Sequence, residues 1–130
     1  MEKVKILQEI NWDNLTFSLT RTRSMYVAEQ NDNGPWEQGK LVPFGNVSMS
    51  PAAGVLNYGQ GIFEGLKAFR TSKDRIVLFR PENNAIRAVD SAERLCMPPV
   101  PPELFLDAIL DEILDAIFDV TFSVTFRSLF

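Results

Sequence analysis

The chain has 130 residues, with 13 lysines and arginines, 17 aspartates and glutamates, no histidine and one cysteine, Cys96. Without histidine it has neither a Ser-His-Asp triad nor an imidazole ligand for a metal, and one cysteine forms no intrachain disulfide. A net charge of −4 gives no basic face for nucleic acid, and no stretch approaches the roughly 18 apolar residues of a membrane span. The first residues have neither the apolar core of a signal peptide nor the composition of a transit peptide, which is rich in arginine and serine and poor in acids. We therefore expect a cytoplasmic protein, with a plastid as the alternative.

The first half of the chain predicts short strands after a polar lead-in at 1–14. Alternating or β-branched apolar residues mark the predicted strands, and a cluster of Asn, Asp, Gly and Pro at 31–35 predicts a turn. Pro43 suggests an edge position, because proline has no N–H to donate to a neighbouring strand. The predicted strands are 16–19, 25–29, 40–44 and 46–50.

Helices and a hairpin are predicted next. Residues 52–60 predict a short helix that Gly59 and Gly61 end, and 66–70 with 76–79 predict a hairpin joined by five residues. Pro81 suits the first turn of a helix that runs to about Met97. Its apolar residues at helical spacing are Ala85, Ile86, Val89 and Ala92. Strands followed by helices predict the α+β class.

A repeat of period four marks the last part of the chain, where Asp107, Asp111, Asp115 and Asp119 alternate with leucine and isoleucine. The carboxylates are either a ladder for a hard cation or the solvated face of an amphipathic helix, and the second interpretation is favoured. The apolar face of this helix then requires a packing partner. Residues 120–126 alternate again and predict a strand.

Three groups of residues are candidates for a site. The glycines at 59, 61 and 65 have a spacing that only weakly suggests a dinucleotide loop. Arg87 and Arg94 are seven residues apart and share a helix face, where they either hold a phosphate or form surface ion pairs. By spacing alone the ion pairs are favoured, with Glu82, Asp90 and Glu93 as partners. Phe17, Tyr58 and Phe63 are aromatics that more often pack in a core.

Several segments together resemble branched-chain amino acid aminotransferases, especially those of plants. The segments are LNYGQGIFEGLKAFR at 56–70, LFRP at 78–81 and RLCMP at 94–98, with WDNLTF at 12–17 and MYV at 25–27 upstream. Related lyases and D-amino acid aminotransferases tend to carry F-E-T where this chain has FEG at 63–65. The chain departs from the pattern at 21–24, where relatives usually carry a Thr-Asp pair. The resemblance covers about 11–109.

The resemblance implies a fold type IV enzyme that uses pyridoxal 5′-phosphate. Such enzymes are homodimers that move an amino group between leucine, isoleucine or valine and 2-oxoglutarate, with the cofactor between a small and a large domain. Residues 1–109 resemble the small domain, and 110–130 are a divergent tail. Arg87 matches the arginine that holds the cofactor phosphate. Phe17, Tyr58 and Phe63 match aromatics of the substrate pocket, and Tyr58 reaches towards the neighbouring subunit.

The resemblance also implies that a central catalytic group is missing. In the family, the lysine that forms a Schiff base with the cofactor belongs to the large domain. The lysines of this chain are Lys3, Lys5, Lys40, Lys67 and Lys73, and none matches it. We therefore expect a truncated form without catalytic residues of its own that is inactive alone. The alternatives are a non-catalytic module that pairs with a second copy or with a full-length relative, and a truncated product without function.

Overall fold

The computed structural model describes residues 22–31 and 34–116 of the chain. The predicted lead-in at 1–14, the strands at 16–19 and 120–126, Phe17 and Asp119 lie outside the described residues. The elements in chain order are β1 (Ser24–Val27), β2 (Lys40–Pro43), α1 (Gly54–Tyr58), β3 (Ala68–Arg70), β4 (Ile76–Leu78), α2 (Pro81–Arg94) and α3 (Pro102–Ala116). The two small antiparallel sheets and three helices of the described residues confirm the α+β class.

The first sheet pairs β1 with β2, which lie at two of the predicted strands, in a register that places Ser24 opposite Pro43 and Val27 opposite Lys40. A single bridge between Gln30 and Trp36 continues the pairing around the predicted turn. The predicted strand at 46–50 is wrong. That segment is irregular and mostly exposed, and it pairs with no strand among the described residues, so its β-forming sequence has no ladder to join.

The second sheet is the predicted hairpin of β3 and β4, with Phe69 opposite Val77. Its connection at 71–75 has the predicted five residues and closes with a 2.8 Å hydrogen bond from the Thr71 N–H to the Arg75 carbonyl. Upstream of the hairpin, α1 ends at Gly59, which has a φ of 63°. Glycine adopts this left-handed conformation without the strain that a Cβ imposes, so the predicted end of the helix is confirmed.

Helix α2 begins at Pro81, as predicted, but the face that it buries differs from the predicted one. Its buried residues are Asn84, Ala85, Ala88 and Ala92, whereas Ile86 is 56% exposed. Small alanines allow close approach to α3. The helix ends in a Schellman motif, in which the Met97 N–H donates to the Ala92 carbonyl and the Cys96 N–H to the Glu93 carbonyl.

Helix α3 lies at the centre of the fold, because it contacts α2 and both strands of the first sheet. Phe105 and Ile109 are its most deeply buried large side chains. The predicted packing partner of its apolar face is therefore confirmed, although Leu110 and Leu114 stay exposed. The helix continues through Ile109, where the predicted boundary between small domain and tail falls. The buried core cluster consists of Ala85, Ala88, Val100, Leu104, Phe105, Ile109 and Ile113. Among the described residues, no helix has both the length and the apolar character to cross a bilayer.

Candidate functional site

Arg87 projects from the middle of α2 and pairs with Glu64, which lies in the segment between α1 and β3. Arg87 Nε donates to Glu64 Oε1 over 2.7 Å, and Nη2 donates to Oε2 over 2.6 Å. The side chain of Glu64 is only 7% exposed, whereas that of Arg87 is 60% exposed. The buried carboxylate thus fixes the plane of a guanidinium group that faces solvent.

Asn84 completes this cluster from the preceding turn of α2. Residues three apart on a helix lie on adjacent positions of its surface, so Asn84 and Arg87 reach the same segment. Asn84 Nδ2 donates to Glu64 Oε2 over 2.9 Å and to the Gly65 carbonyl over 3.0 Å. These two bonds explain why a polar side chain lies on the buried face of α2, because a buried amide without partners would be costly. We call Glu64, Asn84 and Arg87 the carboxylate cluster.

The hydrogen bonds of the cluster favour its charged state. The bonds from Arg87 are the main cause that lowers the pKa of Glu64, which burial alone would raise. The same pair raises the pKa of Arg87. Glu64 is therefore an anion and Arg87 a cation throughout the neutral range. Protonation of Glu64 in acid would remove one acceptor from the pair.

The geometry leaves one side of Arg87 for a ligand. Its bonds to Glu64 engage Nε and Nη2, so Nη1 lies outside the pair. An exposed guanidinium group of fixed orientation is suited to donate a charge-assisted hydrogen bond to an anionic oxygen. The cluster thus fits the phosphate group of a cofactor better than a metal ion. No group of three or more acidic or cysteine side chains in the described parts of the chain is arranged to hold a metal.

Tyr58 and Phe63 lie on the surface, so the expectation that they are core aromatics is wrong. Tyr58 is the last residue of α1 and is 87% exposed, while Phe63 directly precedes Glu64 and is 86% exposed. Aromatic rings at this degree of exposure are available to a ligand or to another chain. Other exposed apolar side chains in the neighbouring segments are Leu56, Phe69, Ile76, Val77 and Phe79.

Arg87 does form an ion pair, but its partner was not among the acids predicted from helix spacing. The partner is Glu64, not Glu82, Asp90 or Glu93. Arg94 is exposed at the last position of α2 and does not join the carboxylate cluster. The weak dinucleotide-loop interpretation is also wrong, because Gly59 ends a helix and does not follow a buried strand. Asp107 and Asp111 are exposed on α3, which agrees with the solvated face and not with a cation ladder.

Sequence reasoning missed Glu64 and Asn84. Both lie in or beside segments that carry the family resemblance, but the apolar pattern that predicts α2 consists of Ala85, Ile86, Val89 and Ala92 and assigns no role to the polar Asn84. The hydrogen bonds join residues 19 to 23 positions apart, so no local period predicts them. The FEG sequence at 63–65 was the available signal, because it places a charged residue between an aromatic and a glycine.

The chain is similar in sequence to aminotransferases of plants. It is 53% identical over 103 residues to a chloroplastic branched-chain-amino-acid aminotransferase 5 of Arabidopsis thaliana. The aligned residues make up 79% of this chain and 25% of that relative. It is 52% identical over 89 residues to a mitochondrial branched-chain-amino-acid aminotransferase 1 of the same plant, or 68% of this chain and 23% of the relative. It is also 45% identical over 100 residues to a methionine aminotransferase of Arabidopsis, or 77% of this chain and 28% of the relative. No family model matches the chain.

These identities make the chain a homologue of aminotransferases. More narrowly, its homologues at about 50% identity are branched-chain amino acid aminotransferases of plants, which confirms the resemblance found in its motifs. The chain spans about a quarter of the length of the relatives that it matches.

Proposed function

We propose that this chain forms the small domain of a fold type IV aminotransferase, with Arg87 as the residue that holds the phosphate of pyridoxal 5′-phosphate. The observation that carries the proposal is the exposed guanidinium group of Arg87, held at two nitrogens by a buried carboxylate. When bound, the cofactor supplies the electron sink for moving an amino group. The chain contributes charge and orientation at the phosphate.

The proposed substrates are leucine, isoleucine or valine and 2-oxoglutarate. Phe17, Tyr58 and Phe63 are the proposed residues of the side-chain pocket, and the near-complete exposure of Tyr58 and Phe63 supports this role. Apolar rings contribute binding energy to a branched side chain only if something else closes over them. A large domain and a second subunit of a homodimer are the proposed covers. A relative named as a methionine aminotransferase makes methionine the competing substrate to test.

The 130-residue chain alone is expected not to transfer amino groups. None of its five lysines matches the lysine of the family that binds the cofactor covalently, and proton transfer at the substrate carbon requires such an amine. In the proposed division, residues 1–109 form the small domain and 110–130 form a tail outside the family pattern. The proposed compartment is the cytoplasm. Two relatives are named as chloroplastic and mitochondrial, so these organelles are the alternatives, and imaging of a tagged chain distinguishes the three.

A complementation assay tests this function. The chain is mixed with the part of the Arabidopsis chloroplastic relative that follows its matched quarter, with pyridoxal 5′-phosphate, leucine and 2-oxoglutarate supplied. We expect transfer from the mixture and none from either part alone. Arg87→Ala should reduce this activity strongly, whereas Arg75→Ala, an exposed arginine of the hairpin connection, should not. Equal activity of the two variants would contradict the proposed role of Arg87.

The exposed aromatics favour a second candidate, a non-catalytic module that binds a full-length relative. Tyr58 and Phe63 are large apolar side chains open to solvent, as residues of a protein-binding site are before the partner covers them. We expect the tagged chain to co-purify with the full-length Arabidopsis enzyme. We expect Tyr58→Ala to reduce the amount of enzyme that co-purifies. A chain that remains a monomer in that mixture and complements no activity would instead agree with a product without function.

A further inference from the structure

The carboxylate cluster joins two parts of the proposed site that are distant in sequence. Glu64 follows Phe63 directly, and its carboxylate binds Arg87 on α2 at distances of 2.6 and 2.7 Å. The proposed phosphate-binding residue and one proposed pocket aromatic are therefore connected through a single side chain. The side chain of Glu64 is 7% exposed and that of Arg87 is 60% exposed, so the pair joins a buried carboxylate to a guanidinium group that faces solvent.

A second connection runs through the backbone after Glu64. Asn84 Nδ2 bonds both to the Glu64 carboxylate and to the Gly65 carbonyl. A Cβ placed on Gly65 would meet no atom within 4 Å, so close packing at Gly65 itself does not hold the backbone. Ile62 and Leu66 pack against the core cluster on either side, and the hydrogen bonds from α2 hold the backbone between them.

We infer that Glu64 is a positioning residue, which orients the guanidinium group of Arg87 for a phosphate ester and at the same time fixes the backbone that presents Phe63. This inference rests on the proposed function of Arg87 and extends it to a residue that no spacing argument identified. Glu64 itself need not touch the ligand. Its effect passes through Nε and Nη2 of Arg87 and through the peptide at 63–65.

The charge of Glu64 and its position act in opposite directions on an anionic ligand. The carboxylate repels a phosphate dianion by Coulomb interaction, whereas the orientation that it imposes on Arg87 favours binding. Glu64→Asp separates the two effects, because it keeps the charge but shortens the side chain by one methylene, so the two bonds to Arg87 cannot both form at their present positions. Glu82→Asp makes the same chemical change at an exposed acid in the first turn of α2 and is the matched control.

The first measurement needs no ligand. In ¹⁵N NMR spectra of the complete 130-residue chain, the Nε–H group of Arg87 should exchange slowly with water in the native protein and faster in Glu64→Asp. The amide signals of Phe63 and Gly65 should shift in that variant but not in Glu82→Asp. Fast exchange in the native chain, or unchanged signals in Glu64→Asp, would overturn the positioning role.

The second measurement is a titration with pyridoxine 5′-phosphate, which lacks the aldehyde that would react with lysines, and with pyridoxine as the control without phosphate. We expect Glu64→Asp to bind the phosphate ester roughly tenfold more weakly, by analogy with the loss seen when a residue that orients a ligand-binding group is changed. Glu82→Asp should bind like the native chain. Native binding with equal affinity in Glu64→Asp would overturn the positioning role alone. Binding that Arg87→Ala does not weaken, or no binding by the native chain, would overturn the proposed function of Arg87 as well.

Discussion

Trp36 Nε1 donates a 2.9 Å hydrogen bond to the carbonyl of Pro99, 63 positions later in the chain. The donor lies just before β2, and the acceptor lies in the proline-rich connection between α2 and α3. This bond ties the first sheet to the start of the helix that forms the core. The indole ring also packs against the core cluster, so Trp36 contributes both a polar and an apolar contact.

Replacing Trp36 by phenylalanine should destabilise the fold by about 1 kcal/mol, the net value of a typical intramolecular hydrogen bond. The variant keeps an aromatic ring but leaves the Pro99 carbonyl without this donor. Urea unfolding followed by circular dichroism measures the change. Gln38→Ala on the exposed neighbouring segment is the control, expected within about 0.5 kcal/mol of the native chain. A Trp36→Phe variant as stable as that control would show that the bond contributes nothing.

Phe105 is the largest fully buried side chain of the central helix, at 2% exposure. Phe105→Ala should cost about 3 to 5 kcal/mol, because the lost burial and the resulting cavity both act against the folded state. The control Leu110→Ala lies on the exposed face of the same helix and should change stability by less than about 0.5 kcal/mol. Thermal and urea unfolding of both variants provide the comparison, and similar losses would contradict the central position of α3.

The depressed pKa of Glu64 predicts an acid-dependent loss of stability. Because the folded-state pKa lies below its ordinary value of 4.5, the stabilisation is complete above that value and is lost as pH falls through the folded-state pKa. Glu64→Gln removes this titration. The difference in unfolding free energy between the native chain and Glu64→Gln should therefore shrink as pH falls from about 6 to 3. Glu82→Gln serves as the control, and a constant difference for Glu64→Gln would contradict the pairing.

Cys96 adopts a left-handed backbone conformation, with a φ of 54°, at the position after α2 where glycine is most common. Cys96→Gly should relieve that strain and stabilise the fold by about 1 kcal/mol. Cys96→Ala keeps a Cβ and is the matched control, so it should not show the gain. Unfolding curves under reducing conditions measure both variants. A gain in the alanine variant equal to that in the glycine variant would assign the effect to the thiol and not to the backbone.

Local sequence signals predicted those parts of the fold that short segments determine. The hairpin of β3 and β4, the end of α1 at Gly59 and the start of α2 at Pro81 follow from turn chemistry and from the fixed or permissive backbone angles of proline and glycine. These features depend on residues within a few positions of each other. The same locality explains the error at 46–50, since a strand also needs a partner that its own residues do not specify.

The candidate site was predicted only in part, because its contacts are not local. Helix spacing placed Arg87 and nearby acids on α2, but the acid that binds it comes from a segment 23 positions earlier. Periodicity predicted Ile86 on the buried face of α2, but Ile86 is exposed. Asn84 is buried on that face instead, because its side chain bonds to Glu64 and Gly65. The motif resemblance led to Arg87, Tyr58 and Phe63, and the structure added how Glu64 holds the first of these residues.

The central place of α3 has a consequence for synthesis in the cell. The first sheet buries its apolar side against α3, which is the last helix among the described residues. While the ribosome is still producing α2, the strands β1 and β2 have no α3 to cover them, so the newly made segment exposes apolar residues until Phe105 and Ile109 emerge. Folding of the first sheet during translation therefore waits until α3 has emerged, and chaperones that bind nascent chains can act on this sheet until then.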